Sequence, residues 1–361
     1  MNNKIGILTY QDTSNFGAML QAFGLYAYLK KKGYSCKIIN YKSKSIDKRE
    51  NPQNILYELK KVKNLKSKLF ILLSRSNRKK KYMGLKNFLM KQEVLTLEYT
   101  RENIKLINKD FDTFIVGSDM VWNFTINNND FAFLLDFVNE NKKKISFASS
   151  LGEEWSNSID TTVKQLFKRF NHISIREEQF KTYLEQKLEK KVDIVCDPTM
   201  LITANEWLEY TVKPTYDNYV LVYFNTDDSK CLNNAIEYAR DNGYSVKYIS
   251  LSIKKNSNYD SIWPTTIEQF LGLIKNAKAV FTASYHGMLF SIYFEKELFW
   301  YSRAQNSRMK FISEKLGLVK RCGSEIDLQK MPKIDFNSVK MKLSEFRNYS
   351  ENILDSYLGE L

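Results

Sequence analysis

The sequence predicts an α/β protein with two open parallel sheets, one in each of two successive domains facing each other across a cleft, and a C-terminal helix. Three observations predict it. Short apolar, β-prone runs alternate with helical spacings along nearly the whole chain. The length of 361 residues exceeds the roughly 100–200 residues usual for one domain. The alternation also starts afresh near residue 215, which places a boundary between Ile202 and Pro214. The expected domains are therefore 1–204, carrying a basic insertion at about 42–92, and 205–330, followed by a helical segment 331–361.

The first forty residues set the pattern. "KIGILTY" reads as a strand, "NFGAMLQAFGLYAYLKKKG" as a helix that stops at lysines and Gly33, and "YSCKIINY" as the next strand. Strand, helix and strand in this order form a βαβ unit and imply parallel pairing. After the insertion come the strands "FDTFIVGSD" and "KKISFASSLG", the helix "TTVKQLFKRF", the strand "HISIRE", the helix "EEQFKTYLEQKLEK" and the strand "VDIVCDP". In the second series, "NYVLVYFN", "YSVKYISL", "KAVFTAS" and "KELFWY" read as strands. The helices between and after them are "SKCLNNAIEYARDNG", "TTIEQFLGLIKNA", "YHGMLFSIYF" and "NSRMKFISEKLGL", with a long last helix over 335–360.

Open parallel sheets bind ligands outside the carboxyl ends of their strands. The small and polar residues at that predicted edge are Asn15–Phe16–Gly17, Gly117–Ser118–Asp119, Ser149–Ser150, Arg176, Asp197–Pro198 and Ser284–Tyr285–His286–Gly287. Each has a structural explanation: Gly17 can let a helix approach a strand, Asp119 can cap a turn, and Asp197–Pro198 can start one. Their gathering on one edge points instead to an active site. Arg176 offers a planar fork for an anion. His286, one of two histidines in the chain, is a proton donor or acceptor at a helix start that favours anions. Asp119 can accept a proton from a hydroxyl. Such a set suits transfer of a group from an anionic donor to a sugar hydroxyl. His172 reads as structural.

Composition narrows the classes. No window has the roughly 18 consecutive apolar residues of a spanning helix. The N-terminal run is too short for a secretory signal, so the expected compartment is the cytoplasm. Cys36, Cys196, Cys231 and Cys322 are widely spaced and form no C-x-x-C pair, which argues against zinc and disulfides; no metal is expected. No P-loop, H-E-x-x-H, G-x-S-x-G, kinase or G-x-G-x-x-G signature is present. The charge is concentrated: Lys42–Gln92 holds 16 Lys or Arg against 3 acids, a local +13 in a chain of +14. No nucleic-acid-binding motif accompanies it. With Leu65, Leu69, Phe70, Ile71, Leu72 and Leu73 interleaved, the segment reads equally as a membrane-interface helix or a solvated insertion.

"NFGAMLQAFGLYAYLKKKGY", "FDTFIVGSDMVWN", "KKISFASSLG", "ISIREEQ", "VCDPTMLI", "TASYHGMLFSIYF" and "NSRMKFISEKLGL", taken in order, resemble the polysaccharide pyruvyl transferase family over most of residues 4–318. The resemblance implies two Rossmann-like domains arranged as in GT-B glycosyltransferases. It also implies transfer of a pyruvyl group from phosphoenolpyruvate, a donor substrate and not a cofactor, to sugar hydroxyls, giving a ketal. Arg176 would then bind the anionic donor, His286 would be the acid or a phosphate contact, and Asp119 would orient or deprotonate the acceptor. Asn15, Gly17, Gly117, Ser118, Ser284, Tyr285, Gly287 and Arg308 would line the substrates. Family members often carry an arginine two residues before the histidine; here that position is Ser284. The missing cation must come from Arg303, Arg308, Lys310 or the helix N-terminus; otherwise the donor is not phosphoenolpyruvate. The implied acceptor is a sugar of a surface polysaccharide or its lipid-linked precursor, met at the inner face of the cytoplasmic membrane through contact of 55–82 with anionic lipid. A nucleotide-sugar glycosyltransferase, a non-catalytic scaffold and, least of all, a nucleic-acid binder stand as the rival readings.

Overall fold

The structure, a computed structural model, describes residues 3–155, 160–224, 226–252, 255–302, 307–324 and 331–359. Two compact units divide it: residues 1–202 with 345–361, and residues 203–344.

The first unit runs β1 (Lys4–Leu8), α1 (Phe16–Lys31), β2 (Ser35–Tyr41), α2 (Lys44–Glu50), α3 (Ile55–Lys61), α4 (Leu65–Lys91), β3 (Leu95–Tyr99), β4 (Thr113–Val116), α5 (Phe124–Asn127), β5 (Lys143–Ser146), α6 (Asp160–Lys168), β6 (Ser174–Ile175), α7 (Lys181–Leu188) and β7 (Asp193–Ile194). Its main sheet has the order β3-β2-β1-β4-β5, all parallel. The pair β6-β7 extends this order, because Ser149 bridges Ile175 in parallel. The inner strand β4 is buried at every position, as a sheet covered on both faces requires. α1 is apolar on nearly every side because β2, α4 and the turn Pro198–Leu201 all pack against it.

The second unit runs α8 (Ala204–Leu208), β8 (Tyr219–Tyr223), α9 (Lys230–Asn242), β9 (Ser245–Ile249), β10 (Asp260–Ile262), α10 (Ile267–Asn276), β11 (Ala279–Thr282), α11 (Tyr285–Tyr293), β12 (Glu297–Trp300) and α12 (Ser307–Leu316), then begins α13 (Phe336–Gly359). Its sheet repeats the topology, β10-β9-β8-β11-β12, again wholly parallel.

The edge strands β3 and β10 were not expected from the sequence. The C-terminal helical segment is shared between the units: up to Ser344 it belongs to the second, from Glu345 onward to the first. There Ser350 Oγ accepts from Cys196 N at 2.9 Å, Tyr357 donates to Asp193 Oδ2 at 2.6 Å, and the Tyr357 ring stacks on His172 at 4.4 Å.

The basic insertion is only partly a solvated arm. Tyr82, Leu85, Phe88 and Leu89 of α4 are buried, and the same stretch grips the β1–α1 loop. Tyr82 donates to Asp12 Oδ1 at 2.6 Å, Lys86 lies 3.6 Å from that carboxylate, and Ser14 donates to Glu50 at 3.1 Å. Among the described residues no helix is long and apolar enough to cross a membrane.

Candidate active site

Each sheet reverses its strand order once, at β1/β4 in the first unit and β8/β11 in the second. Loops leave in opposite directions at such a point and open a crevice at the carboxyl ends. The residues singled out from the sequence fall on these two edges.

In the first unit, Gly117, Ser118 and Asp119 follow β4. A Cβ on Gly117 would sit 3.1 Å from Thr9 Cβ, so glycine lets the ends of β1 and β4 approach closely. Thr9 Oγ1 donates to the Ser118 carbonyl at 2.8 Å and accepts from Gln21 Nε2 at 2.9 Å, which ties α1 to the same point. Asp119 has φ +73°, a left-handed conformation that aspartate tolerates better than most residues. Its backbone bridges Ser149, and its Oδ1 accepts from Met120 N at 2.8 Å. Asn15 caps α1 by accepting from Gly17 N at 2.9 Å, so both residues act in shaping the helix start.

Arg176 follows β6, next in line. Its side chain is 1 % exposed and its Nη1 donates to Asp197 Oδ2 at 2.8 Å and to Ser118 Oγ at 2.9 Å. Its Nη2 lies 3.7 Å from Asp119 Oδ1. Asp197, fully buried, also accepts from Thr199 N at 3.0 Å and Thr199 Oγ1 at 2.8 Å. Beside this group, Ser150 donates to the buried Glu177. Through Nη1 the guanidinium is thus bonded to Asp197 and Ser118 of its own unit, with Nη2 facing Asp119. It holds Ser118 and Asp119 in place. Ser118 Oγ is likewise spent, accepting from Arg176 and donating to Asp197 at 3.3 Å. Of this cluster Asp119 keeps some exposure, 12 % of its side chain.

In the second unit Thr282 ends β11 and α11 begins three residues later. Thr282 Oγ1 donates to the Tyr223 carbonyl at 2.5 Å and accepts from Ser284 N at 3.0 Å. Ser284 is the N-cap of α11, its Oγ accepting from Gly287 N at 3.2 Å, as serine does at helix starts. Its side chain therefore does not replace the cation of an Arg-x-His pattern. A Cβ on Gly287 would come within 2.6 Å of Thr282 Oγ1 and 2.9 Å of Tyr223 Cδ1. Only glycine lets the first turn of α11 seat on the strand ends.

That seating places His286 in the first turn of α11, 9 % exposed, with the Tyr285 ring edge-on at 5.3 Å. Arg308 of α12 lies over the Tyr285 ring, with Cζ 5.8 Å from its centroid. Of the cations offered as substitutes, Arg308 is thus brought to the His286 turn. Lys310 instead lies 3.9 Å from Glu314 on its own helix, and Arg303 lies outside the described residues. The backbone of Phe224, at the end of β8, has φ +56°. A left-handed phenylalanine is a strained residue held by its surroundings, and such strain gathers at functional edges.

Sequence reasoning missed Tyr223, whose hydroxyl is pushed well above its ordinary value by burial and partly relieved by a hydrogen bond with Ser284. It also missed Lys81. This α4 side chain brings its Nζ to 4.2 Å from the centroid of the Phe16 ring, at the start of α1, and desolvation lowers its pKa to about 8. Only their flanks could have signalled them: Tyr223 closes a strand, and Lys81 stands next to an aromatic within a helical apolar pattern. Among the described residues no group of acids, histidines and cysteines could hold a metal ion.

Comparison with known proteins gives a family and a fold. The family model for polysaccharide pyruvyl transferase matches residues 15–305. No curated protein sequence gives a significant match. Among solved structures, the chain is similar to UDP-GlcNAc 2-epimerase from Neisseria meningitidis bound to UDP-GlcNAc, with TM-score 0.54, 12 % identity and full coverage of both chains. It is similar to an alpha-glucosyltransferase in complex with UDP and DNA, with TM-score 0.53, 8 % identity and full coverage of both. It also resembles MnaA of S. aureus with UDP, with TM-score 0.52, 13 % identity, and coverage of 99 % of this chain and 98 % of that one. At such identities the likeness establishes the two-domain, GT-B-like fold.

Proposed function

The chain belongs to the polysaccharide pyruvyl transferase family, a family of transferases, and from that premise we propose that it moves a pyruvyl group from phosphoenolpyruvate to two hydroxyls of one sugar. The observation that carries the reading is His286 in the first turn of α11, seated by Gly287 and accompanied by Arg308.

The donor must be protonated at its methylene carbon, which makes C2 an oxocarbenium-like centre. One sugar hydroxyl attacks C2, phosphate departs with its bonding electrons, and the second hydroxyl closes the cyclic ketal. His286 has the chemistry of the proton donor. The positive end of α11 and the Arg308 guanidinium favour the anionic donor. Asp119 would take the hydroxyl proton, and Arg176 acts as a positioning residue for it through Ser118 and Asp197. Gly117, Asn15 and Gly17 shape this edge and make no bond to substrate in this reading. The acceptor is a sugar of a surface polysaccharide or its lipid-linked precursor, and contact of 55–82 with anionic membrane would bring the enzyme to it.

The test is phosphoenolpyruvate-dependent phosphate release with a panel of lipid-linked and soluble sugar acceptors, with the ketal carbon of the product identified by NMR. His286→Asn should lower turnover by about 10²–10⁴-fold, the usual worth of a general acid. Unchanged turnover would remove His286 from the mechanism, and transfer from a nucleotide sugar would replace the donor.

A further inference from the structure

We infer that the outward face of α3 and of the first half of α4 is a docking surface for an anionic lipid bilayer. The inference extends the membrane contact proposed above for 55–82 and rests on that reading, though not on the donor. The structure splits α4 into two halves with different duties. Of its buried residues, Tyr82, Leu85, Phe88 and Leu89 lie in the second half and Ser74 in the first, so the second half does most of the anchoring in the first unit. In the first half, Leu65, Leu69, Leu72 and Leu73 are 80, 55, 50 and 60 % exposed. They stand at i, i+4, i+7 and i+8, one continuous stripe along a helix. At 100° per residue this stripe points away from Ser74 and Leu85. Leu56 of α3 adds a further exposed leucine, at 73 %.

The charge around the stripe selects the occupant. Lys66, Lys68, Arg75, Lys79 and Lys80 flank it, and the one acid in 55–82, Glu58, is bound to Arg78. A leucine stripe with lysines on both flanks fits the headgroup level of an anionic bilayer. The leucines reach the acyl boundary while the lysine stems bend back toward the phosphates. A second copy of the chain would bring two such basic faces together and repel. The same helix holds Tyr82 and Lys86 on Asp12 of the β1–α1 loop, so a docked α4 would carry the edge of the first sheet at a fixed height above the membrane.

The experiment is co-sedimentation of the full-length protein with vesicles of phosphatidylcholine alone and of phosphatidylcholine mixed with phosphatidylglycerol. Two variants leave every buried residue of α4 unchanged: Leu69→Gln with Leu72→Gln and Leu73→Gln, and Lys66→Gln with Lys68→Gln, Lys79→Gln and Lys80→Gln. Wild type should pellet with the mixed vesicles at low salt and not with the neutral ones. Each variant should lose at least about tenfold in vesicle affinity with a nearly unchanged melting temperature, since only exposed and half-buried side chains are altered. Equal pelleting of wild type and charge variant, or no pelleting of wild type, would overturn the inference. So would loss of self-association, measured by sedimentation velocity, in the leucine variant without any vesicle binding by wild type. Phosphate release with a soluble acceptor reads the chemistry separately, so failure of docking and failure of the pyruvyl reading give different results.

Discussion

Replacing Arg176 should destabilise the first unit more than it disturbs ligand binding as such. In Arg176→Met, the fully buried Asp197 carboxylate loses its cation and keeps only the Thr199 and Ser118 donors. Breaking a buried pair from one side costs about 3–5 kcal/mol, against a usual total stability of about 5–15 kcal/mol. A unit of this size loses about 2–4 °C of melting temperature per kcal/mol, so the first unit should melt about 6–20 °C lower. Asp197→Asn should cost a similar amount, and the double variant clearly less than the sum, because the two changes remove one shared interaction. Differential scanning calorimetry of the three variants measures this directly. A melting temperature within about 2 °C of wild type, together with lost phosphoenolpyruvate binding, would refute the reasoning and restore Arg176 as a ligand clamp.

Two further outcomes follow from the edges of the two units. Gly287→Ala pushes a methyl toward Thr282 Oγ1 and the Tyr223 ring. It should destabilise the second unit by about 1–3 kcal/mol and lower turnover through displacement of His286; unchanged stability and rate would show that the α11 seat has slack. Lys81, whose pKa falls from an ordinary 10.5 to about 8 in the folded chain, is protonated in the unfolded chain over a range where the folded one has released its proton. Its desolvation cost is therefore complete below pH 8 and fades as the pH rises from about 8 to 10.5. Lys81→Met should stabilise the protein at pH 7 and flatten the rise of stability over that interval, read by denaturant unfolding at several pH values.

Much of this was legible in the chain. Strand–helix alternation reports itself locally, since Asn15 and Ser284 cap helices in the positions their side chains favour and Gly33 ends one with φ +87°. The strand-end rule then placed Ser284–Gly287 and Gly117–Asp119 at the carboxyl edges of the two sheets without any tertiary knowledge. Edge strands β3 and β10 escaped because they are short and polar at alternate or exposed positions. The state of Arg176 was beyond local reading. Its partners lie 58 and 21 residues away, and only the folded chain shows that Asp197, which looked like a turn starter, neutralises it. The leucines at 65–73 were visible as residues, but which of them face outward depends on how far the buried half of α4 reaches.

The donor is the point on which everything chemical turns. Thermal unfolding of the wild-type protein with phosphoenolpyruvate, with UDP-GlcNAc, and with neither tests it most directly. Ligand at 100 times its Kd adds about 2.7 kcal/mol of apparent stability, which is several degrees for units of this size. Pyruvyl transfer requires the shift with phosphoenolpyruvate, reduced in Arg308→Ala and absent with UDP-GlcNAc. A shift with UDP-GlcNAc alone would make the protein a nucleotide-sugar enzyme, and no shift with either would contradict phosphoenolpyruvate as its donor.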